Sequence, residues 1–116
     1  MSYDLAVWEG ERPATDDAGA TVHDELYERF IGSAETMPPS VRIERYVSAL
    51  LERYPDIDVA EESPWSTSPL MGEASGPYVY FPMVYSTCRE ASAWCAGVAA
   101  EHGLVCFDPQ LGILRP

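Results

Sequence analysis

The segment Tyr78-Val79-Tyr80-Phe81-Pro82-Met83-Val84-Tyr85 constrains the fold more than any other part of the chain. A run of aromatic, β-branched and apolar residues without a charge, entered through the Gly76-Pro77 turn, fits a pleated strand. A strand needs partners to be stable, and two segments offer themselves: Tyr3 to Trp8 and Leu104 to Phe107. Pro82 has no N–H to give a ladder, so this strand must have an edge, a bulge or a break at that point.

Between these strands the apolar spacing changes to that of helices. Residues 9–20, with Gly10, Pro13, Asp16, Asp17 and Gly19, read as a polar loop. A helix is expected from near Thr21, where Thr21 and Asp24 resemble a capping box and Val22, Leu26 and Phe30 recur every four residues. Pro38-Pro39 separates it from a second helix. Ser40 is its expected N-cap, Ile43, Val47, Leu50, Leu51 and Tyr54 form one stripe, and Pro55 stops it. Residues 56–69 read as a loop with at most a short strand around Ile57 to Val59, and the stretch from Trp65 to Glu73 as a weak edge strand. Thr87 and Glu90 suggest a capped third helix burying Ala91, Trp94, Cys95, Val98 and Ala99, which Gly103 closes with His102 in its last turn. The turn Asp108-Pro109-Gln110 and a short Ile113-Leu114 segment follow.

This order is a βαββαβ plan, and residues 1–116 suit a single domain. The expected architecture is an α+β, ferredoxin-like sandwich whose first helix is split in two, with all helices on one face of an antiparallel sheet. Val7, Leu26, Phe30, Val47, Leu50, Val79, Phe81, Trp94, Val98, Val105 and Phe107 are the expected core.

Nineteen acidic residues face seven basic ones, all arginine, for a net charge of -12. Nucleic acids and anionic membranes would be repelled by such a chain, since both are bound chiefly through Lys and Arg. The charge is uneven: residues 1–62 hold fifteen acids and five arginines, residues 63–116 four acids and two arginines. Codon bias and adaptation to salt also make proteins acidic and poor in lysine, so composition alone does not establish a binding face. Met1 to Trp8 lacks the pattern of a signal peptide, and no stretch approaches the roughly 20 apolar residues that span a bilayer. Three cysteines without a C-x-x-C pair, Cys88, Cys95 and Cys106, fit a reducing compartment. A cytoplasmic location is the expectation.

Catalytic chemistry is thinly supplied. His23 and His102 are the only histidines, and Ser75 in Gly72-Glu73-Ala74-Ser75-Gly76 stands one position away from a nucleophile elbow. Cys88, at a helix start, has the position of a reactive thiolate but reads more simply as a structural thiol. Asp16-Asp17 and Glu61-Glu62 point neighbouring side chains apart, as solvated loops do, and no metal or cofactor site is expected.

The start Met1-Ser2-Tyr3-Asp4-Leu5-Ala6-Val7-Trp8, the element Ser63-Pro64-Trp65 and the ending His102-Gly103-Leu104-Val105-Cys106-Phe107-Asp108-Pro109-Gln110 resemble a group of small uncharacterised bacterial proteins. Some of that group are thought to accompany secreted toxins as immunity proteins. The resemblance implies a binding role and carries no catalytic residue with it.

The expected function is therefore a non-enzymatic, acidic protein-binding domain that neutralises a basic partner, such as a bacterial toxin. Glu25, Glu28, Asp58, Glu61, Glu62 and Trp65 are the candidate contacts. Glu44 and Glu52 could extend the same patch, although Arg29, Arg45 and Arg53 are interleaved with it. Trp65, flanked by Pro64 and Pro69, is either an exposed anchor or a plug folded back into the protein. The competing expectation is a small enzyme or ligand-binding domain with a pocket between sheet and helices.

Overall fold

The computed structural model describes residues 2–32, 37–58 and 63–116. Along the chain these form β1 (Ser2–Trp8), α1 (Asp16–Phe30), α2 (Val41–Arg53), β2 (Ala74–Ser75), β3 (Tyr78–Val84), α3 (Cys88–Glu101), β4 (Val105–Asp108) and β5 (Ile113–Leu114). Short 3-10 turns occupy Leu70–Glu73 and Tyr85–Thr87. The strands make one antiparallel sheet in the order β2-β3-β1-β4-β5, so the domain is α+β.

β1 pairs with β3 over its full length, from Ser2 opposite Val84 to Trp8 opposite Tyr78. Pro82 lies inside this ladder without interrupting it. The Pro82 carbonyl accepts from the Ser66 N–H at 3.0 Å, so the backbone of residue 82 faces away from β1, toward the outer edge of β3. There its missing N–H removes no rung, which makes this stretch of β3 an edge rather than a bulge or a break.

The period of two sorts the strand side chains into two apolar layers. Leu5, Val7, Val79, Phe81, Met83 and Cys106 face one way, and Ile43, Tyr46, Val47 and Leu50 of α2 pack on them with Cys95, Val98 and Ala99 of α3. Ala6, Trp8, Tyr78, Val105 and Phe107 face the other way, and Phe30 of α1 covers them with the half-buried Val22 and Leu26. Helices on a single face, with α1 and α2 as halves of one split helix, were the expectation; instead α1 and α2 dock on opposite faces. The cause is the aromatic content of the second layer. A buried Trp, Tyr or Phe is worth roughly 4–6 kcal/mol of area removed from water, which a bare sheet face would forfeit three times over.

Local signals account for most element ends. Ser40 caps α2, its Oγ accepting the Ile43 N–H at 3.2 Å. At the end of α3 the Leu104 N–H reaches the Ala99 carbonyl at 2.9 Å and the Gly103 N–H the Ala100 carbonyl at 3.1 Å, with Gly103 at φ +70. This is a Schellman ending, which demands the left-handed conformation glycine adopts freely.

Several local expectations are corrected. α1 starts at Asp16, not Thr21, because Thr15 is its cap: Thr15 Oγ1 accepts the Ala18 N–H at 3.1 Å. Thr87 makes no capping hydrogen bond, since the 3-10 turn of Tyr85–Thr87 runs straight into α3. Ile57 and Asp58 form a turn rather than a strand, Val59 lies outside the described residues, and the strand that pairs with β3 is Ala74–Ser75. Trp65, in place of a longer edge strand, makes a single bridge to Met83. Of the expected core, Leu26 and Trp94 are only partly buried. Trp94 lies at the rim, with the Arg53 guanidinium 4.9 Å from its ring centroid.

Candidate functional site

α1 carries the highest density of charge of any helix. Asp16, Asp17, Asp24, Glu25 and Glu28 are all exposed and the helix holds one base, Arg29. Asp16 and Asp17 sit in the first turn, where the helix dipole favours them. Asp16 also anchors the helix, its Oδ1 accepting the Leu114 N–H of β5 at 2.9 Å. The other two helices are balanced: α2 has Arg42, Arg45 and Arg53 against Glu44 and Glu52, and α3 has Arg89 against Glu90 and Glu101. The acidic excess of the helices is thus concentrated on one side of the sheet.

The inward side of α1 is held by an aromatic cluster. His23 Nδ1 and the Tyr78 hydroxyl share a hydrogen bond of 2.9 Å, and the imidazole stacks on Tyr80 at 5.6 Å between centroids. The Tyr80 hydroxyl donates to Asp4 Oδ2 at 2.6 Å. Burial lowers the pKa of His23, with Asp24 opposing it, and burial raises those of Tyr78 and Tyr80. All three rings are therefore neutral at physiological pH, and the cluster reads as a latch for α1 rather than as an acid–base site.

The candidate contacts do not form one patch. Glu25 and Glu28 are exposed on α1, whereas Glu44 and Glu52 project from α2 on the opposite side of the sheet. Asp58 lies beyond the end of α2, exposed, with its Oδ2 accepting the Ser68 hydroxyl at 2.8 Å. Glu61 and Glu62 lie outside the described residues. Trp65 is 0% exposed, so it is the plug and not the anchor. Its Nε1 donates to the Tyr54 carbonyl at 2.6 Å and its ring meets Phe81 edge-on at 5.7 Å. What the sequence reading missed is Asp16, Asp17 and Asp24 as members of the α1 face. Thr15 followed by two acids was the available signal, obscured by Gly19, which reads locally as a loop residue.

Compared with protein families, with curated proteins and with solved structures, the chain matches none of them. Among the described residues no helix is long and apolar enough to cross a membrane.

The remaining reactive residue types have structural partners. Asp108 is fully buried at the β4–β5 turn, where its Oδ1 accepts from the backbone N–H groups of Gln110 and Leu111 and from Gln110 Nε2. Its Oδ2 accepts from the Tyr3 hydroxyl and, at 3.3 Å, from Arg115. Burial and this bond to Asp108 push the Tyr3 hydroxyl up to about 12. Ser75 is buried in β2 and its Oγ accepts the Met37 N–H at 3.0 Å. Cys88, Cys95 and Cys106 are unpaired and buried, and burial holds the Cys95 and Cys106 thiols in their protonated, unreactive form.

Proposed function

We propose that this chain is a non-enzymatic binding domain that docks a basic protein on the outward face of α1, as an immunity protein would dock a toxin. The observation that carries the reading is the charge distribution. An acidity imposed by codon usage or salt adaptation would be spread over all helices, but α2 and α3 are nearly neutral and α1 holds five acids against one arginine. Such a face would steer a cationic partner to rapid encounter and would offer carboxylates where that partner expects phosphates.

The strand order supports the same emphasis. We read β2-β3-β1-β4, with α2 and α3 over one face, as a ferredoxin-like core to which β5 and α1 are added. On that reading α1 is the element that distinguishes this chain from the plain plan. A bacterial toxin as the partner follows from the resemblance at the two ends of the chain and at Ser63-Pro64-Trp65, and a cytoplasmic location suits three free thiols.

The test starts with the partner captured by the immobilised full chain from lysate of its source cell and identified by mass spectrometry. Its association rate is then measured with the native chain and with the Asp24→Lys, Glu25→Lys, Glu28→Lys triple variant. A basic partner that associates about tenfold more slowly with the variant, and with a flatter salt dependence, is the expected result. An unchanged rate with a variant whose circular dichroism is native would refute the α1 face.

A further inference from the structure

Among the described residues most arginines are committed. Arg115 pairs with Asp108, Arg12 donates to the Arg115 carbonyl, and Arg53 lies over the rings of Tyr54 and Trp94. Arg45 makes no ion pair or hydrogen bond among the described residues. It lines a pocket of about 360 Å³ with Glu9, Val41, Arg42 and His102. Arg42 and Arg45 stand three residues apart on α2 and so project to one side. His102 enters from the end of α3, its ring set edge-on against Tyr46 at 6.1 Å. Glu9 comes from the loop after β1 and is the pocket's sole acid. Its carboxylate is 3.8 Å from Arg42 Nε, with the two side chains 29% and 55% exposed, a pair that water screens to about 0–1 kcal/mol.

The chain has nineteen acids, yet two guanidiniums and an imidazole converge here around one loosely held carboxylate. The two guanidiniums exceed the single lining carboxylate by one positive charge, which a bound anion would neutralise. We propose that this pocket binds a small tetrahedral dianion, free phosphate or the phosphoryl group of a metabolite. Arg42 and Arg45 would each donate from their guanidinium groups to the phosphoryl oxygens, and His102 would donate from a ring N–H. The anion would displace Glu9 from its loose pairing with Arg42. Glu44 and Glu101, the sequence neighbours of Arg45 and His102, do not line the pocket and would weaken it only through their charge. The pocket belongs to the α2–α3 layer, away from the acidic face of α1, and is independent of what docks there.

The test is an amide NMR titration of the full chain with inorganic phosphate and, separately, with glycerol 2-phosphate, at neutral pH and constant ionic strength. Saturable shifts at residues 42–45 and 102–103 are expected. Arg45→Gln should weaken binding about tenfold, the worth of one charge-assisted hydrogen bond, and Glu9→Gln should tighten it by removing the competing carboxylate. Arg89→Gln, which removes the same charge elsewhere, should change little. Tighter binding of the ester would mark a phosphorylated metabolite, and tighter or equal binding of phosphate the free ion. Shifts that stay linear in phosphate, or an Arg89→Gln loss equal to that of Arg45→Gln, would overturn the site.

Discussion

The Trp65 indole N–H donates to the Tyr54 carbonyl, tying the loop that crosses the edge of β3 to the C-cap residue of the second helix. Tyr54 also packs edge-on to Trp65 and to Trp94, so one aromatic seam runs from the sheet to the rim of α3. The seam makes Trp65 a stability residue. Trp65→Ala should cost about 3–5 kcal/mol by urea denaturation. Trp65→Phe keeps most of the packing but orphans the Tyr54 carbonyl, and should cost about 1–3 kcal/mol. A Trp65→Phe variant as stable as the native chain would mean that the hydrogen bond contributes nothing.

His23 makes stability depend on pH. Its folded pKa lies below that of a free histidine, near 6.5, so the unfolded chain takes up the proton first as pH falls. The contribution is fully present above about pH 6.5 and is lost as pH drops from there toward the folded value. Denaturation of the native chain and of His23→Gln at pH values on either side of this window should show the larger acid loss in the native chain. The imidazole resonances of His23 should titrate with a midpoint below that of a free histidine.

Two helical glycines should respond in opposite ways. Gly97 in α3 has open space where a Cβ would stand, and Gly97→Ala should stabilise the protein by about 0.5–1 kcal/mol. At Gly19 in α1 an added Cβ would meet Leu114 Cγ and Cδ2 at 3.0 Å and Phe107 at 3.3 Å. Gly19→Ala should therefore lose that gain in the native background and recover it beside Leu114→Ala. Equal effects at the two glycines would show that α1 is not closely seated on β5.

The acidic face of α1 is held at some expense of stability. Asp24 and Glu28 are one turn apart with like charge, and Glu28 lies near the negative end of the helix dipole. Glu28→Lys should raise stability by about 0.5 kcal/mol at low salt, with the gain vanishing in molar salt, while slowing association with the basic partner proposed above. A variant that is both more stable and binds as fast would separate Glu28 from the recognition face.

The cysteines should differ from surface thiols. Cys95 and Cys106 have pKa values raised by burial, that of Cys106 pushed up to about 12, so alkylation should follow unfolding and not precede it. Mass spectrometry of the native protein after brief treatment with iodoacetamide should find both unmodified.

Features written in spacing along the chain are readable without coordinates, because their physics involves residues one to four positions apart. Ser40 and the Ile43, Val47, Leu50 stripe define α2, and the Gly103 ending closes α3. The alternation of Tyr78, Val79, Tyr80 and Phe81 likewise defines β3. Contacts between distant segments decided the rest. Gly19 looks like a helix breaker until Leu114 is seen to need the space its missing side chain leaves. The side of the sheet on which α1 docks depends on whether Trp8, Tyr78 and Phe107 share one uncovered layer, which pairing across three strands establishes. Trp65 is a plug because the Tyr54 carbonyl and Phe81 lie where its ring can reach both. Glu9, Arg42, Arg45 and His102 come from three separate stretches, and only the tertiary packing brings them to one pocket.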